Sequence, residues 1–400
     1  MHPLAATLPS CPHLFMFALH LLFAICAFLV VYHYVIYPAA VILLSRMAAR
    51  SQPLPDLADA DLPSLTFVIA AYNEERVIRD KLLNTLCLAY PADKLEVLVA
   101  ADGSNDATRA IAEAFADRGV RVLHLPQRRG KTAALNRAVA FSRGDIIVFS
   151  DANNQFSDDA LRKLVRHFAD PRVGGVCGLK QIHASAERES AVGDGLYWKY
   201  ESAIKIAESR LGSITGADGE IFAIRRALYR TLDESLINDD AAITFDLVRA
   251  RHRVLYEPAA RSFEQASITI EDDFHVKVRM VSGGFQTLSR EWRLLLLPRR
   301  RFAFAFLSHK VLRWIAPELL IAMLVSSCVL AAAGDQEFIG LLVLQTAFYS
   351  LALIGYLLRK RGPLAIPLYV PFYFCAMNAA ALLGLVRYLT RSTEWKRAAR

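Results

Sequence analysis

Apolar and polar positions divide the chain into long uncharged blocks and one stretch of short alternating segments. Leu14 to Leu44 holds no Asp, Glu, Lys or Arg, and three more apolar blocks follow at about Trp314–Ala333, Phe338–Leu358 and Leu364–Val386. Each has roughly the 20 residues a helix needs to cross about 30 Å of hydrocarbon. Residues 51 to 300 carry nearly all the acidic groups. The pattern predicts an N-terminal membrane anchor over residues 1–50, a water-facing domain over 51–290, and an interfacial helix with C-terminal spans over 291–400.

Within the water-facing region, the polar, Pro-rich residues 51–64 read as a linker. LTFVIAAYN (Leu65 to Asn73) is a short apolar run, hence a strand, and Glu74–Leu88 has helical spacing through Val77, Leu82, Leu83 and Leu86. LEVLVAADG repeats the strand, with Asn105 and Asp106 placed to cap a helix over Ala107–Asp117. VRVLHL, a helix over Lys131–Phe141 and the strand in GDIIVFSDANN continue the alternation. Strands apolar on both faces, alternating with helices, imply an α/β domain whose mostly parallel sheet is covered on both sides. Such sheets bind ligands beyond the carboxyl ends of their strands. Those ends carry Tyr72 with Asn73, Asp102, Gln127 with Arg128, and Asp151 with Asn153.

Charge orients this plan. Arg46 and Arg50 follow the first apolar block, and Arg299, Arg300, Arg301, His309, Lys310 and Arg313 precede the second. By the positive-inside rule they place the domain in the cytoplasm and the chain, multi-pass, in the cell (inner) membrane. The net charge of +8 then reflects basic groups beside anionic lipid, making the bilayer a partner. Nucleic acid is not expected as one, because no basic-aromatic module is present. Six scattered cysteines without CxxC spacing imply neither a zinc site nor a disulfide framework. Four spans starting outside would leave the tail RYLTRSTEWKRAAR, with five basic residues and one Glu, on the wrong side. Either the tail departs from the charge rule or one late segment is re-entrant or interfacial, and Leu364–Val386, weakened by Pro363, Pro367, Pro371 and Asn378, is the segment expected to be so.

The chemistry starts from absences. No GxGxxG follows a strand and no GxxxxGK[ST] occurs, so neither a dinucleotide fold nor a P-loop is supported. RRGKTAALN puts Gly130 and Lys131 at a helix start, where backbone N–H groups and an ammonium suit a phosphate. Asp151 and Asn153 are two oxygen donors one residue apart, which share one cation only if the strand has already turned. A hard divalent ion bridging diphosphate oxygens, Mg2+ or Mn2+, fits such a pair.

TFVIAAYNEE, VLVAADGSND, RRGKTAALN, FSDANN, TGADGEIFAIRR and INDDAAITFDLV stand in the order found in family 2 glycosyltransferases, over about Leu65 to Leu288. With its flanking spans, the chain resembles the membrane-embedded branch that makes exopolysaccharides, hyaluronan, chitin or cellulose. The resemblance implies a GT-A nucleotide-diphospho-sugar transferase domain flanked by transmembrane helices. It implies transfer, with inversion, from a nucleotide-diphosphate sugar, expected to be UDP-linked, to a growing polysaccharide or lipid-linked acceptor. Ala71, Tyr72, Asn73 and Glu74 match the family's first nucleotide contact. Asp102 matches the second carboxylate of a DDGS element whose first position is Ala101 here. Lys131 matches a lysine near the diphosphate. Asp151 matches the first carboxylate of the metal-binding DxD, and Asn153 replaces the second. Thr215, Gly216, Ala217, Asp218 and Gly219 match the loop beside the acceptor. Asn238, Asp239 and Asp240 match the element ending in the general base, which assigns that role to Asp240 with Asp239 in reserve.

Inverting transfer needs a carboxylate to take the acceptor's proton and a cation to stabilise the departing diphosphate. Two adjacent carboxylates raise the pKa of one of them. Where processive synthases carry QxxRW, VKVRM leaves Arg279, with Lys277, to meet phosphate. The lost Gln and Trp favour, as an alternative, single-sugar transfer to a polyprenyl-phosphate or lipid carrier. Ala101, Asn153 and Met280 are also compatible with a nucleotide-binding structural subunit of a secretion assembly. Few spans for a channel imply an export partner or a second copy of the chain. YWKYE, Tyr197 to Glu201, offers aromatic faces to a sugar.

Overall fold

The computed structural model describes residues 11–48, 54, 56–183, 191–265, 270–293, 300–359 and 365–391, with the backbone alone at 11, 12, 182, 183, 191–197, 265 and 270. The basic tail beyond 391 and the Tyr197 side chain lie outside the described residues.

Eight strands form one sheet: β1 (Leu65–Ala71), β2 (Leu95–Asp102), β3 (Val120–Leu125), β4 (Ile146–Asp151), β5 (Asn154–Phe156), β6 (Val173–His183), β7 (Phe222–Arg225) and β8 (Arg253–Gln265). Their order is β3-β2-β1-β4-β7-β6-β8-β5. The first four run parallel, as the alternation of strands and helices requires. β7 is antiparallel to both β4 and β6, β6 and β8 are parallel, and β5 is antiparallel to β8.

Both faces of the sheet are dry. Phe67 and Ile69 of β1 pack with Ile78, Leu82 and Val99 on one side. Val68 of the same strand packs with Leu135, Ile147, Phe149 and Phe245 on the other. Complete burial of such side chains stabilises the fold by roughly 1.5–3 kcal/mol each, which is why a period-two alternation is missing from these strands. Helix Lys131–Phe141 has the bounds its spacing predicts. The two preceding helices are shorter than predicted, at Ile78–Leu86 and Thr108–Glu113. The first loses its opening turn to a loop in which Glu74 N–H donates to Thr108 Oγ1 at 2.7 Å; the second starts as predicted, with Thr108 N–H donating to Asp106 Oδ1 at 3.0 Å, and is cut short at its end, where Ala116–Arg118 form a separate 3-10 turn.

Three described helices are long and apolar enough to cross a membrane: His13–Met47, Gln336–Leu358 and Ile366–Leu389. A fourth arises if the pair Arg300–Trp314 and Ala316–Ala332, bent by 59°, counts as one span. The irregular segment therefore differs from the expected one. Ile366–Leu389 is a single helix, with Pro367 in its first turn, where a missing N–H costs little. The break falls at Ile315, just before Pro317 at the start of the next helix. Ile366–Leu389 packs on the amphipathic helix Ile270–Glu291 so closely that a Cβ on Gly384 would lie 2.9 Å from the Val278 carbonyl oxygen.

Candidate functional site

A cavity of about 2960 Å³ opens at the carboxyl ends of the parallel strands. The turns after β1, β2 and β4 line it through Ala71, Tyr72, Asn73 and Glu74, Asp102, and Asp151 with Asn153. Helices and loops close it with Lys131, Gly216, Ala217, Asp218, Asp239, Asp240 and Arg279. The candidate nucleotide, metal, acceptor and base residues thus border one space. Ala101 does not, being fully buried within β2.

The nucleotide-side loops are pinned to one another. Asn73 takes a positive φ of 54°, and it exchanges hydrogen bonds with Asn105 at 2.7 and 3.0 Å. The Arg128 guanidinium lies 4.0 Å from the centroid of the Tyr72 ring. Gly103, with φ of 70°, is where that loop passes closest, because a Cβ there would meet Arg128 N at 2.5 Å. Asp102 is less a free contact than the motif comparison implied. It is 3% exposed, and its Oδ2 accepts from the Arg129 and Gly130 amides at 2.9 and 2.6 Å. The carboxylate thereby shapes the approach to Lys131.

Lys131 Nζ lies 2.7 Å from Asp151 Oδ1 at a site where both side chains are about one-third exposed. Against the cost of desolvation, the charges of Asp151, Asp239 and Asp240 hold this ammonium above its ordinary value. That shared influence brings β4, helix Lys131–Phe141 and helix Asp239–Arg249 to one point.

Asp239 and Asp240 begin their helix. Asp240 Oδ1 accepts from the Ala241 amide at 2.7 Å, and Oδ2 from the Gly219 amide at 3.2 Å, joining it to the TGADG loop. Burial, reinforced by the neighbouring Asp239 charge, pushes the Asp240 carboxyl up to about 7. The loop leading to it is held by the amphipathic helix. Gln286 accepts from the Ile237 amide and donates to the Ser235 carbonyl, each at 3.0 Å. Gly283 lets Asn238 approach, since a Cβ would meet its Oδ1 at 2.5 Å. Asp218 is committed differently, to the buried Lys205 at 2.7 Å.

Sequence reasoning missed the charges beneath this site. Lys180 bridges Glu220, at 2.7 Å, and Glu264. Those carboxylates hold its ammonium above the ordinary lysine value despite burial, while burial pushes Glu220 up to about 7. Lys81 is 1% exposed, donates to Asn154 Oδ1 at 2.9 Å, and is pushed down to about 7 by burial. Its position on the Ile78, Leu82, Thr85 face was the available signal, a lysine on an apolar stripe. No such pattern marks Lys180 and Glu264, which meet through the pairing of β6 and β8, or Glu220, which joins them from the turn before β7. A second buried cluster faces the long apolar helices. His309, fully buried, contacts Glu208 at 2.8 Å and Glu201 at 3.2 Å, and Arg313 reaches Glu201 at 2.8 Å.

Among the described residues no three His, Cys, Asp or Glu side chains form a metal cage. The site nonetheless fits a Mg2+ or Mn2+ ion held jointly with substrate phosphates, which needs only one or two protein donors. Asp151 and Asn153 both reach the cavity from the turn after β4, and the buried Glu220 Oε1 beside them accepts no hydrogen bond.

This architecture is the GT-A fold of nucleotide-sugar transferases. A structure of the mannosyltransferase PcManGT from Pyrobaculum calidifontis superposes with a TM-score of 0.73 over 93% of this chain and 99% of that one, at 22% identity. Residues 66–233 match the family model described as glycosyl transferase family 2. Poly-beta-1,6-N-acetyl-D-glucosamine synthase of Staphylococcus aureus (strain COL) is 26% identical over 243 residues, covering 60% of this chain and 58% of the relative. The Staphylococcus epidermidis synthase is 26% identical over 233 residues, 57% of this chain and 56% of that protein. The chain thus spans little more than half the length of these relatives.

Proposed function

We propose that the chain is a membrane-embedded inverting glycosyltransferase, with its catalytic domain on the cytoplasmic face of the cell membrane. It moves a sugar from a UDP-linked donor to a hydroxyl of a growing polysaccharide or glycolipid. One observation carries this reading: a carboxylate poised near neutrality, Asp240, shares a cavity with the Lys131–Asp151 pair at a helix N-terminus suited to a diphosphate. The two staphylococcal relatives make N-acetylglucosamine the first donor sugar to test.

Asp240 takes the proton from the acceptor hydroxyl as oxygen attacks the anomeric carbon, and the Gly219 and Ala241 amides keep its oxygens aimed. Lys131 and Arg279 face the diphosphate, and Tyr72 with Arg128 flanks the base. Asp151 and Asn153 would hold the divalent cation. When bound, that ion stabilises the charge on the departing diphosphate.

A lipid-borne acceptor is favoured by the cavity's far end, which continues between membrane helices past Tyr34, Tyr369, Tyr373, Phe374 and Met377. The donor is tested by measuring nucleotide release from a panel of UDP- and GDP-sugars, with and without Mn2+. Release of UDP that depends on the metal supports the proposal. Release from GDP-sugars alone would replace the donor class, and no release from any donor would overturn the activity.

A further inference from the structure

The β5–β8 register places Asn154 opposite Glu264, so Glu264 meets the turn that carries Asp151 and Asn153. Glu264 Oε1 accepts from Asn153 Nδ2 at 2.6 Å, its other oxygen contacts Lys180, and the residue is 4% exposed. A carboxylate accepts and never donates. Only the NH2 end of the Asn153 amide can therefore face Glu264, which turns the carbonyl oxygen the other way. A carboxylate at position 153 would put two like charges at hydrogen-bond distance in a buried site.

We infer that Glu264 is the positioning residue of the metal site: it fixes the Asn153 amide with its carbonyl oxygen available to the ion, and supplies from β8 the negative charge that Asn153 lacks. This inference rests on the metal-diphosphate reading above. Lys180 holds Glu264 in place from the other side, its ammonium bridging Glu264 and Glu220. Glu220 Oε1, buried without a hydrogen-bond donor, belongs to the same group. Asparagine at 153 is then a requirement of its neighbour rather than a weakened aspartate.

The test measures Mn2+ binding in the presence of UDP by electron paramagnetic resonance, on the full-length protein and on Asn153→Asp, Glu264→Gln and the double variant. Thermal melting of each variant selects those that fold. Loss of a partner that orients a metal ligand lowers affinity about 10- to 100-fold. Each single variant is expected to lose that much, and the double variant to recover to within about threefold of the unmodified protein. The sign at Asn153→Asp is the sharp point, since it moves the motif toward two carboxylates yet weakens binding. Tighter Mn2+ binding by Asn153→Asp alone, or no recovery in a folded double variant, would overturn the role of Glu264. Absence of Mn2+ binding by the unmodified protein with UDP would instead overturn the metal reading itself, and the inference with it.

Discussion

Replacing Asp240 by Asn should cost activity and raise stability, with a pH dependence that identifies the carboxyl responsible. In the fold this proton leaves near pH 7, whereas in an unfolded chain it leaves near 3.8. At about 1.4 kcal/mol per tenfold, ionising Asp240 in place costs up to about 4 kcal/mol above pH 7. The folded state binds more protons than the unfolded state between those values, so stability falls as pH rises through that window. The Asp240→Asn variant carries no such cost, but its side-chain amide accepts from only one of the Gly219 and Ala241 amides, giving back about 1–2 kcal/mol. The variant should therefore lie about 1–2 kcal/mol below the unmodified protein near pH 4 and exceed it by roughly 2 kcal/mol at pH 8. Melting curves of detergent-solubilised protein across pH 4–8 read this out. A variant less stable at pH 8, or a difference that does not change with pH, would refute the assignment of a strained carboxylate to Asp240.

Other consequences follow from the same geometry. Lys131→Met removes the ammonium from Asp151 and the diphosphate, and should weaken UDP binding about tenfold by calorimetry, in line with a charge-assisted hydrogen bond. Gln286→Ala releases the Ser235–Ile237 loop; kcat should fall about tenfold while UDP affinity is unchanged, the loss of two backbone contacts being worth about 1–2 kcal/mol. Gly103→Ala forces a side chain into a φ of 70° and against Arg128, and should destabilise the fold by about 1–3 kcal/mol or more and loosen the Tyr72–Arg128 stack. Above pH 8 the rate should plateau, and it should fall tenfold per unit on the acid side of about 7, as a base with Asp240's pKa requires.

The parts of this molecule that sequence makes legible are those whose signal is local. β1, β2 and β4 announce themselves as apolar runs because both faces of each strand are buried, and the polar group ending each run marks the crevice. Helix Lys131–Phe141 is delimited by Gly130 before it and Arg143–Gly144 after it. The start of Ile78–Leu86 escapes a reading of spacing because Thr108, from the opposing loop, accepts from the Glu74 amide that another helical turn would have used. The break at Ile315 is hidden behind the Pro-rich last segment, yet a proline at a helix start ends the element before it and leaves its own intact. Glu264, Lys180 and Glu220 are invisible for a different reason. Lys180 and Glu264 come together through the β6–β8 register and Glu220 joins them from the turn before β7, and no spacing along the chain encodes a register between distant strands.

The central claim is sugar transfer with Asp240 as the base, and its most direct test compares purified Asp240→Asn with the unmodified protein at saturating UDP-sugar, Mn2+ and acceptor. Transfer should drop about 10²- to 10⁴-fold with UDP affinity retained, the size of a general-base contribution. Equal transfer rates in the two proteins would contradict the account.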